Sequence, residues 1–367
     1  MSLFKSILIS LVVLSSVHTS AFADFFVIPV NTAKKMANVI VVAKSGGDFT
    51  NVKSAVDSIT DASASNNYLV YVGPGTYTVT EPIVLQQYVS LKGSGINVTS
   101  LYGNVSGSDS ASSAIIQGAS NSSISELTVV NLGGGSESVG IYHNGSVVSI
   151  ISQVLIFVTG QAKNYGIYNR DADVDIANIS INVAISGTHN HAICNISSSG
   201  SIVNTLLEVY EGTSENYGIK NTSSSPVISN TQITVAGTGS ITAGIHNVTS
   251  SPKMNNIVID TSYGDTNYGI YSDHSSLTIS HAVITAKNGE NVKAFWNKDP
   301  SSLVIDYVKA TAIDGSENNY GLYINNISPT ITHSNFTGAT LDILLASSNA
   351  KCLYTIGNGV ELNGKCE

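Results

Sequence analysis

From residue 138 to residue 324, apolar and polar positions repeat with a long, nearly constant period. The hexapeptide NYGIYN at 164–169 returns as NYGIKN at 216–221, NYGIYS at 267–272 and NYGLYI at 319–324. Weaker copies are SVGIYH at 138–143, NHAICN at 190–195, TAGIHN at 242–247 and VKAFWN at 292–297. The residue after each Gly or Ala forms an apolar column: Ile141, Ile167, Ile193, Ile219, Ile245, Ile270, Phe295 and Leu322. Its separations are 26, 26, 26, 26, 25, 25 and 27 residues. A second column runs Ile150, Ile176, Ile202, Ile228, Met254, Ile279, Val304 and, one step late, Ile331. A third runs Leu155, Ile181, Leu207, Ile233, Ile259, Ile284 and Phe336. A fixed period of this size marks a solenoid, whose units bury their apolar faces only against their neighbours.

Within each unit the alternation is that of strands, as in Ile179, Ile181, Val183 and Ile185. Clusters of Gly, Ser, Pro and Asn between the segments supply turns. Three short strands and three turns per unit of about 26 residues predict an all-β chain. It is a single-stranded right-handed parallel β-helix over 39–350, with rungs stacked about 4.8 Å apart. Two polar columns support the stacking: Asn169, Asn195, Asn221, Asn247, Ser272 and Asn297, and Asn178, Asn204, Asn230 and Asn256 continued by His281, Asp306 and His333. Asn side chains at such turns can hydrogen-bond from rung to rung and satisfy turn backbone groups. At 49–59, Val52, Ala55, Val56 and Ile59 fall on one helical face, which predicts an amphipathic helix capping the open N-terminal end. Residues 351–367 are expected to cap the other end, with Cys352 and Cys366 paired across the last loop. Closing a loop of that length stabilises by roughly 3 kcal/mol in the chain-entropy model. Cys194 is then a small packed side chain.

The first 23 residues change the compartment. Lys5, the apolar run Ile7–Leu14 and Ala21-Phe22-Ala23 before Asp24 read as a secretory signal peptide, followed by an N-terminal segment at 24–38. The apolar run is far shorter than the roughly 20 residues of a spanning helix, and no later segment is long enough. The mature chain is therefore expected outside the cell, at its surface or in the periplasm. Removing Lys5 takes the formal charge from −9 to −10. With no basic stripe to meet phosphates, a nucleic-acid partner is excluded. Only 11% charged residues beside 42% hydrophobic ones argue for folded β structure rather than disorder.

Residues 39–103 resemble the N-terminal part of pectin methylesterases. The matching pieces are VIVVAKSGGDFTNVKSAVDSI, YLVYVGPGTYT and VSLKGSGINVTSLYG. The resemblance covers under a fifth of the chain and implies the pectin-lyase-like β-helix fold. It does not extend to the chemistry. That family places a glutamate two residues after Gly-x-Tyr, where this chain has Val79 after Tyr77, with Glu81 nearby. Its Gln-Asp-Thr, Asp-Phe-(Ile/Val)-Phe-Gly and Leu-Gly-Arg-Pro-Trp motifs, which carry its catalytic aspartates, glutamine and arginine, do not occur here. The Asp-Asp and Gly-His-Gly pieces of polygalacturonases are absent too.

Three sets of residues remain as candidates. Arg170, the only arginine, stands beside Asp171, Asp173 and Asp175, which alternation places on one face and which could share a Ca²⁺ ion, as lyases on this fold require; otherwise they are a solvated turn. HNHAIC holds His189, His191 and Cys194, but no second half with ligand spacing follows. The column Tyr142, Tyr168, Cys194, Lys220, His246, Tyr271, Trp296 and Tyr323 follows the inward residues and therefore faces outward. Tyr142, Tyr168, Tyr271, Trp296 and Tyr323 either offer flat faces to sugar rings or merely stack from rung to rung. Asn-x-Ser/Thr triplets, as at Asn97, Asn221 and Asn247, follow from turns rich in these residues and establish no glycosylation. The leading reading is a non-catalytic, carbohydrate-associated or adhesive exported protein. The alternatives are a polysaccharide-acting esterase or lyase with a displaced site, and a structural spacer.

Overall fold

The computed structural model describes residues 38–365 apart from 146–147, 161, 185–186, 300–301, 326–328, 347–350 and 358–359. The proposed signal peptide, Ile185 and Cys366 lie outside the described residues; Cys352 is buried. The chain is a parallel β-helix. One face is a sheet of eleven parallel strands, from Ile83–Val84 to Leu341–Ala346, that contains every copy of the hexapeptide. The other strands, such as Ser201–Tyr210 and Val227–Ala236, form the remaining wall. Each rung pairs with the next in register, Ile167 with Ile193, Ile193 with Ile219 and Ile219 with Ile245. The column extends beyond the repeat to Ile83, Ile116 and Ile343.

The long strands bend at one residue of positive φ, which divides each into two flat halves. Asn178, Asn204, Asn230 and Asn256 occupy this corner with φ of 54°, 53°, 49° and 54°. Asn tolerates the left-handed region better than other non-glycine residues, and this explains the column. The later rungs place His281, Tyr307, His333 and Tyr354 there. Their rings stack in turn at 5.1, 4.5 and 5.3 Å. The corner residue is thus Tyr307 and not Asp306, which instead accepts hydrogen bonds from Thr332 and His333.

Two apolar columns are corrected by one residue. The core positions are Ile151, Ile156 and Ile305, paired with Ile176, Ile181 and Ile331. Ile150 and Val304 are 43% and 40% exposed. The turn before these strands is one residue longer than in the middle rungs, and a one-residue slip moves a side chain to the other face. Ala310 fills the third column between Ile284 and Phe336.

The N-terminal helix is shorter than its apolar pattern, spanning Val52–Asp57, with Asn51 as N-cap accepting from the Ser54 N–H at 2.9 Å. It buries Val52, Ala55, Val56 and, just past its end, Ile59. It packs on Ile83–Val84, the end strand of the eleven-stranded sheet. At the other end, Lys351–Gly357 still stacks parallel on the rung before it, and Val360–Lys365 folds back on it antiparallel.

The hexapeptide now has a position-by-position account. Asn164 points inward and its amide donates to the Asn190 Oδ1 at 2.7 Å. Ile167 lies in the main core, and Tyr165 and Tyr168 lie outside it. Asn169 is inward, and Asn169, Asn195, Asn221 and Asn247 donate each to the next at 2.9–3.0 Å, ending on the Ser272 hydroxyl. Gly166 has no room for a side chain. A Cβ there would lie 2.6 Å from the Ala192 carbonyl oxygen and 2.3 Å from the Ile181 Cγ2. Beside the Asn ladder runs a second one, in which Ser198, Ser224, Ser250 and Ser275 each accept the backbone N–H of the rung before at 2.9–3.0 Å.

Candidate functional site

The outer face of the eleven-stranded sheet carries two parallel columns of side chains. Strict alternation would put Tyr165 and Tyr168 on opposite faces. The close-packed Gly166 is skipped in the pairing between neighbouring rungs, so both tyrosines emerge on the outside. The column of Tyr165, His191, Tyr217, Tyr268 and Tyr320 was therefore missed by the alternation rule. The signal for it was the tyrosine at the second place of NYGIYN, repeated four times.

The rings of the two columns touch in an unbroken series. Tyr142, Tyr168, Tyr165, His191 and Tyr217 follow one another at 5.6, 5.0, 5.3 and 4.8 Å between ring centroids. His246, Tyr271, Trp296, Tyr323 and Tyr320 continue it at 4.8, 4.7, 4.6, 5.9 and 5.6 Å. The rings lie nearly face to face at His246–Tyr271 and Tyr271–Trp296, at 7° and 11°, whereas Tyr165 and His191 meet edge to face at 74°. This contact changes what the face presents. Tyr142 and Tyr168 point away from the core, yet they are only 9% and 6% exposed, sealed by their neighbours. Tyr271, Trp296, Tyr320 and Tyr323 are half-buried. Ring faces are turned largely toward other rings, so edges, hydroxyls and flanking cations meet the solvent.

The cations are placed on the rings. The Arg170 guanidinium donates to the Tyr168 hydroxyl at 2.9 Å. Lys220 lies 5.2 Å from the Tyr217 ring and 3.5 Å from Glu215. Lys293 lies 5.4 and 5.2 Å from the rings of Tyr268 and Trp296, a cation–π arrangement, while burial pulls its pKa down. Burial also pushes the Tyr165 and Tyr217 hydroxyls far above their usual range and the Cys194 thiol up to about 12. It holds His246 down at about 4 and His191 well below its ordinary value.

One polar group of mixed charge lies on this face. The Glu215 carboxylate is 3.5 Å from Lys220, 3.9 Å from His191 and 4.0 Å from His189. His191 is sealed between Tyr165 and Tyr217, and neither ring nitrogen has a hydrogen-bond partner. Cys194 stacks in the neighbouring column, beside Tyr168 and Lys220.

Asp171, Asp173 and Asp175 lie together on one exposed edge, as alternation implies. Asp171 is the positive-φ corner residue of its rung. Asp173 accepts the Ser199 N–H at 2.6 Å, and Asp175 accepts the Ser201 N–H and hydroxyl at 3.1 and 2.6 Å. Two of the three carboxylates thus brace the following rung. Among the described residues, the ligand atoms that converge within 4.8 Å belong to Asp273, His274 and Asp299 at the same corner of later rungs.

No family model matches the chain, and no curated protein matches it by sequence. Solved structures do. The A-module of the mannuronan C-5 epimerase AlgE4 from Azotobacter vinelandii is 16% identical over 83% of this chain and 89% of that one, with a TM-score of 0.57. The DFA-IIIase of Arthrobacter chlorophenolicus A6 is 9% identical over 83% and 90%, with a TM-score of 0.52. The pectin methylesterase PemA from Erwinia chrysanthemi, at 14% identity over 65% and 90%, superimposes with a TM-score of 0.38, too loosely to carry an argument. At these identities the likeness establishes the fold, a parallel β-helix, and no chemistry.

Proposed function

We propose that the protein is an exported, non-catalytic β-helix that holds polysaccharide along the outer face of the eleven-stranded sheet. The observation that carries this reading is the continuous series of rings flanked by Arg170, Lys220 and Lys293, which runs over eight consecutive rungs. At about 4.8 Å per rung, such a face matches an extended chain of sugars. Because the rings mostly face one another, contact would come from their edges, tyrosine hydroxyls and the cations, with sugar hydroxyls as partners. Export rests on Lys5, the apolar run after it and Ala21-Phe22-Ala23.

A panel of polysaccharides immobilised on beads tests it. A retained glycan should perturb the emission of Trp296, the only tryptophan. Trp296→Ala should then weaken retention. If no glycan is retained or changes that emission, the binding reading fails and the column is packing alone.

The second reading is a polysaccharide-acting enzyme, and the observation in its favour is Glu215 among Lys220, His189 and His191. The sealed position of His191 counts against it. Unsaturated or de-esterified product that disappears with Glu215→Gln would replace the first reading with this one.

A further inference from the structure

We infer that the C-terminal rings of the column form a one-electron relay, which carries an oxidising equivalent from Trp296 through Tyr323 to Tyr320, with Tyr271 and Tyr268 in contact with the same indole on its other side. Trp296 touches three phenols, Tyr271 at 4.6 Å, Tyr268 at 5.3 Å and Tyr323 at 5.9 Å. Tyr323 in turn touches Tyr320 at 5.6 Å. Electron transfer between rings in contact needs no movement of either one.

The hydrogen bonding gives the relay a direction. The indole Nε1–H of Trp296 is buried and has no acceptor among the described residues. A tryptophan that loses an electron there cannot readily lose its proton, so it stays a radical cation. That species oxidises a phenol more strongly than the deprotonated indolyl radical would. The Tyr320 hydroxyl, by contrast, donates to the Asn318 Oδ1 at 3.1 Å and is half-buried at the margin of the face, where water can take its proton. The electrons balance as follows. An oxygen- or nitrogen-centred radical takes one electron from Trp296 and becomes its anion. The indole radical cation takes one electron from a phenol, and that phenol releases its proton to water as a phenoxyl forms. Where that phenol is Tyr323, its phenoxyl takes one electron from Tyr320 and a proton from water, Tyr320 releases its own proton to water, and the radical rests on Tyr320. A soluble reductant can quench it there, or a second phenoxyl can couple with it. Among the described residues, Cys194 lies four rungs from Trp296, and Met254 and Cys352 are inside the core.

The test uses pulse radiolysis of the full-length mature protein with azidyl radical, which selects tryptophan. The tryptophanyl absorbance should decay as tyrosyl absorbance grows, at a rate independent of protein concentration. Tyr268→Phe, Tyr271→Phe and Tyr323→Phe together keep every ring and remove the phenols that touch Trp296. They should slow the decay by about tenfold or more, equivalent to at least about 1.4 kcal/mol of barrier. If the triple variant does not fold, Tyr271→Phe alone should still slow it, and a nitroso spin trap on the unaltered protein should label Tyr320. Decay that these changes leave untouched, or that scales with protein concentration, overturns the relay. So does label found only on the exposed Tyr263, Tyr307 and Tyr354.

Discussion

Gly218 faces Ile233 so closely that a Cβ built on the glycine would lie 2.2 Å from the isoleucine Cγ2. The same pairing recurs as Gly166 with Ile181, Gly244 with Ile259 and Gly269 with Ile284. Two rungs have alanine in the glycine column, Ala192 and Ala294. Their equivalents of Ile233 in the ladder are Leu207 and Ala310, neither of which carries a Cγ2 methyl. Where the glycine becomes alanine, the neighbour loses its β-branch. Gly218→Ala should therefore destabilise by about 1–3 kcal/mol, the usual range for overpacking. Adding Ile233→Leu should recover most of that loss. A denaturant-melt double-mutant cycle checks this, and additive effects would show that the methyl is not what excludes alanine.

The interior and corner asparagines should respond differently to substitution. Asn221→Ala leaves the Asn195 amide and the Asn247 Oδ1 without partners inside the solenoid, a loss of about 3 kcal/mol. Asn230 is exposed and at positive φ. Asn230→Ala should cost about 1 kcal/mol of backbone strain, and Asn230→Gly should be nearly neutral. Thermal melts of the three variants check the order.

Acid should loosen the protein before its carboxylates titrate fully. His143 and His246 are held down at about 4 by burial, and burial holds His191 well below its ordinary value. All three are neutral in the folded chain above these values, whereas they titrate near 6.5 when unfolded. Below pH 6.5 the unfolded state binds protons that the folded state does not, so stability is complete above 6.5. It falls by about 1.4 kcal/mol per pH unit for each histidine down to about pH 4. Melting temperature against pH should show this slope, and His246→Tyr, the residue of Tyr168 and Tyr271 in the same column, should make it shallower.

Calcium tests the acidic edge. Asp173 and Asp175 already accept hydrogen bonds from Ser199 and Ser201, so added Ca²⁺ should leave the melting temperature unchanged. A site that binds the folded state alone would raise it as RT ln(1 + [L]/Kd). A rise abolished by Asp173→Ala and Asp175→Ala would establish a calcium site there.

The period made the solenoid legible in the sequence, because each rung contacts only its neighbours and must repeat their apolar positions. The inward Ile167–Ile193–Ile219–Ile245 column followed from that alone. The register of Ile150 and Val304 did not, since one extra turn residue is invisible to counting from a fixed start. The ring column was half legible. Tyr168 and Trp296 followed from alternation, but Tyr165 and Tyr217 required knowing that the glycine beside them escapes the strand pairing. That the rings face one another, and not solvent, depends on the stacking distance between rungs and on how neighbouring side chains lean.

The sealed amide ladder has a consequence for how the chain can be made. Asn195, Asn221 and Asn247 each begin an Asn-x-Ser/Thr triplet, and each amide lies inside the solenoid engaged with the next rung. Glycans are bulky and belong on surfaces, so an oligosaccharide joined to any of these nitrogens before folding would bar the rungs from closing. In a host that modifies such triplets on the emerging chain, carbohydrate transfer and rung closure compete for the same three atoms. Asn97, exposed at a turn, can carry a glycan without that conflict. Yield from a glycosylating host should therefore rise when Ser197, Ser223 and Thr249 are replaced by alanine, while the triplet at Asn97 is left intact.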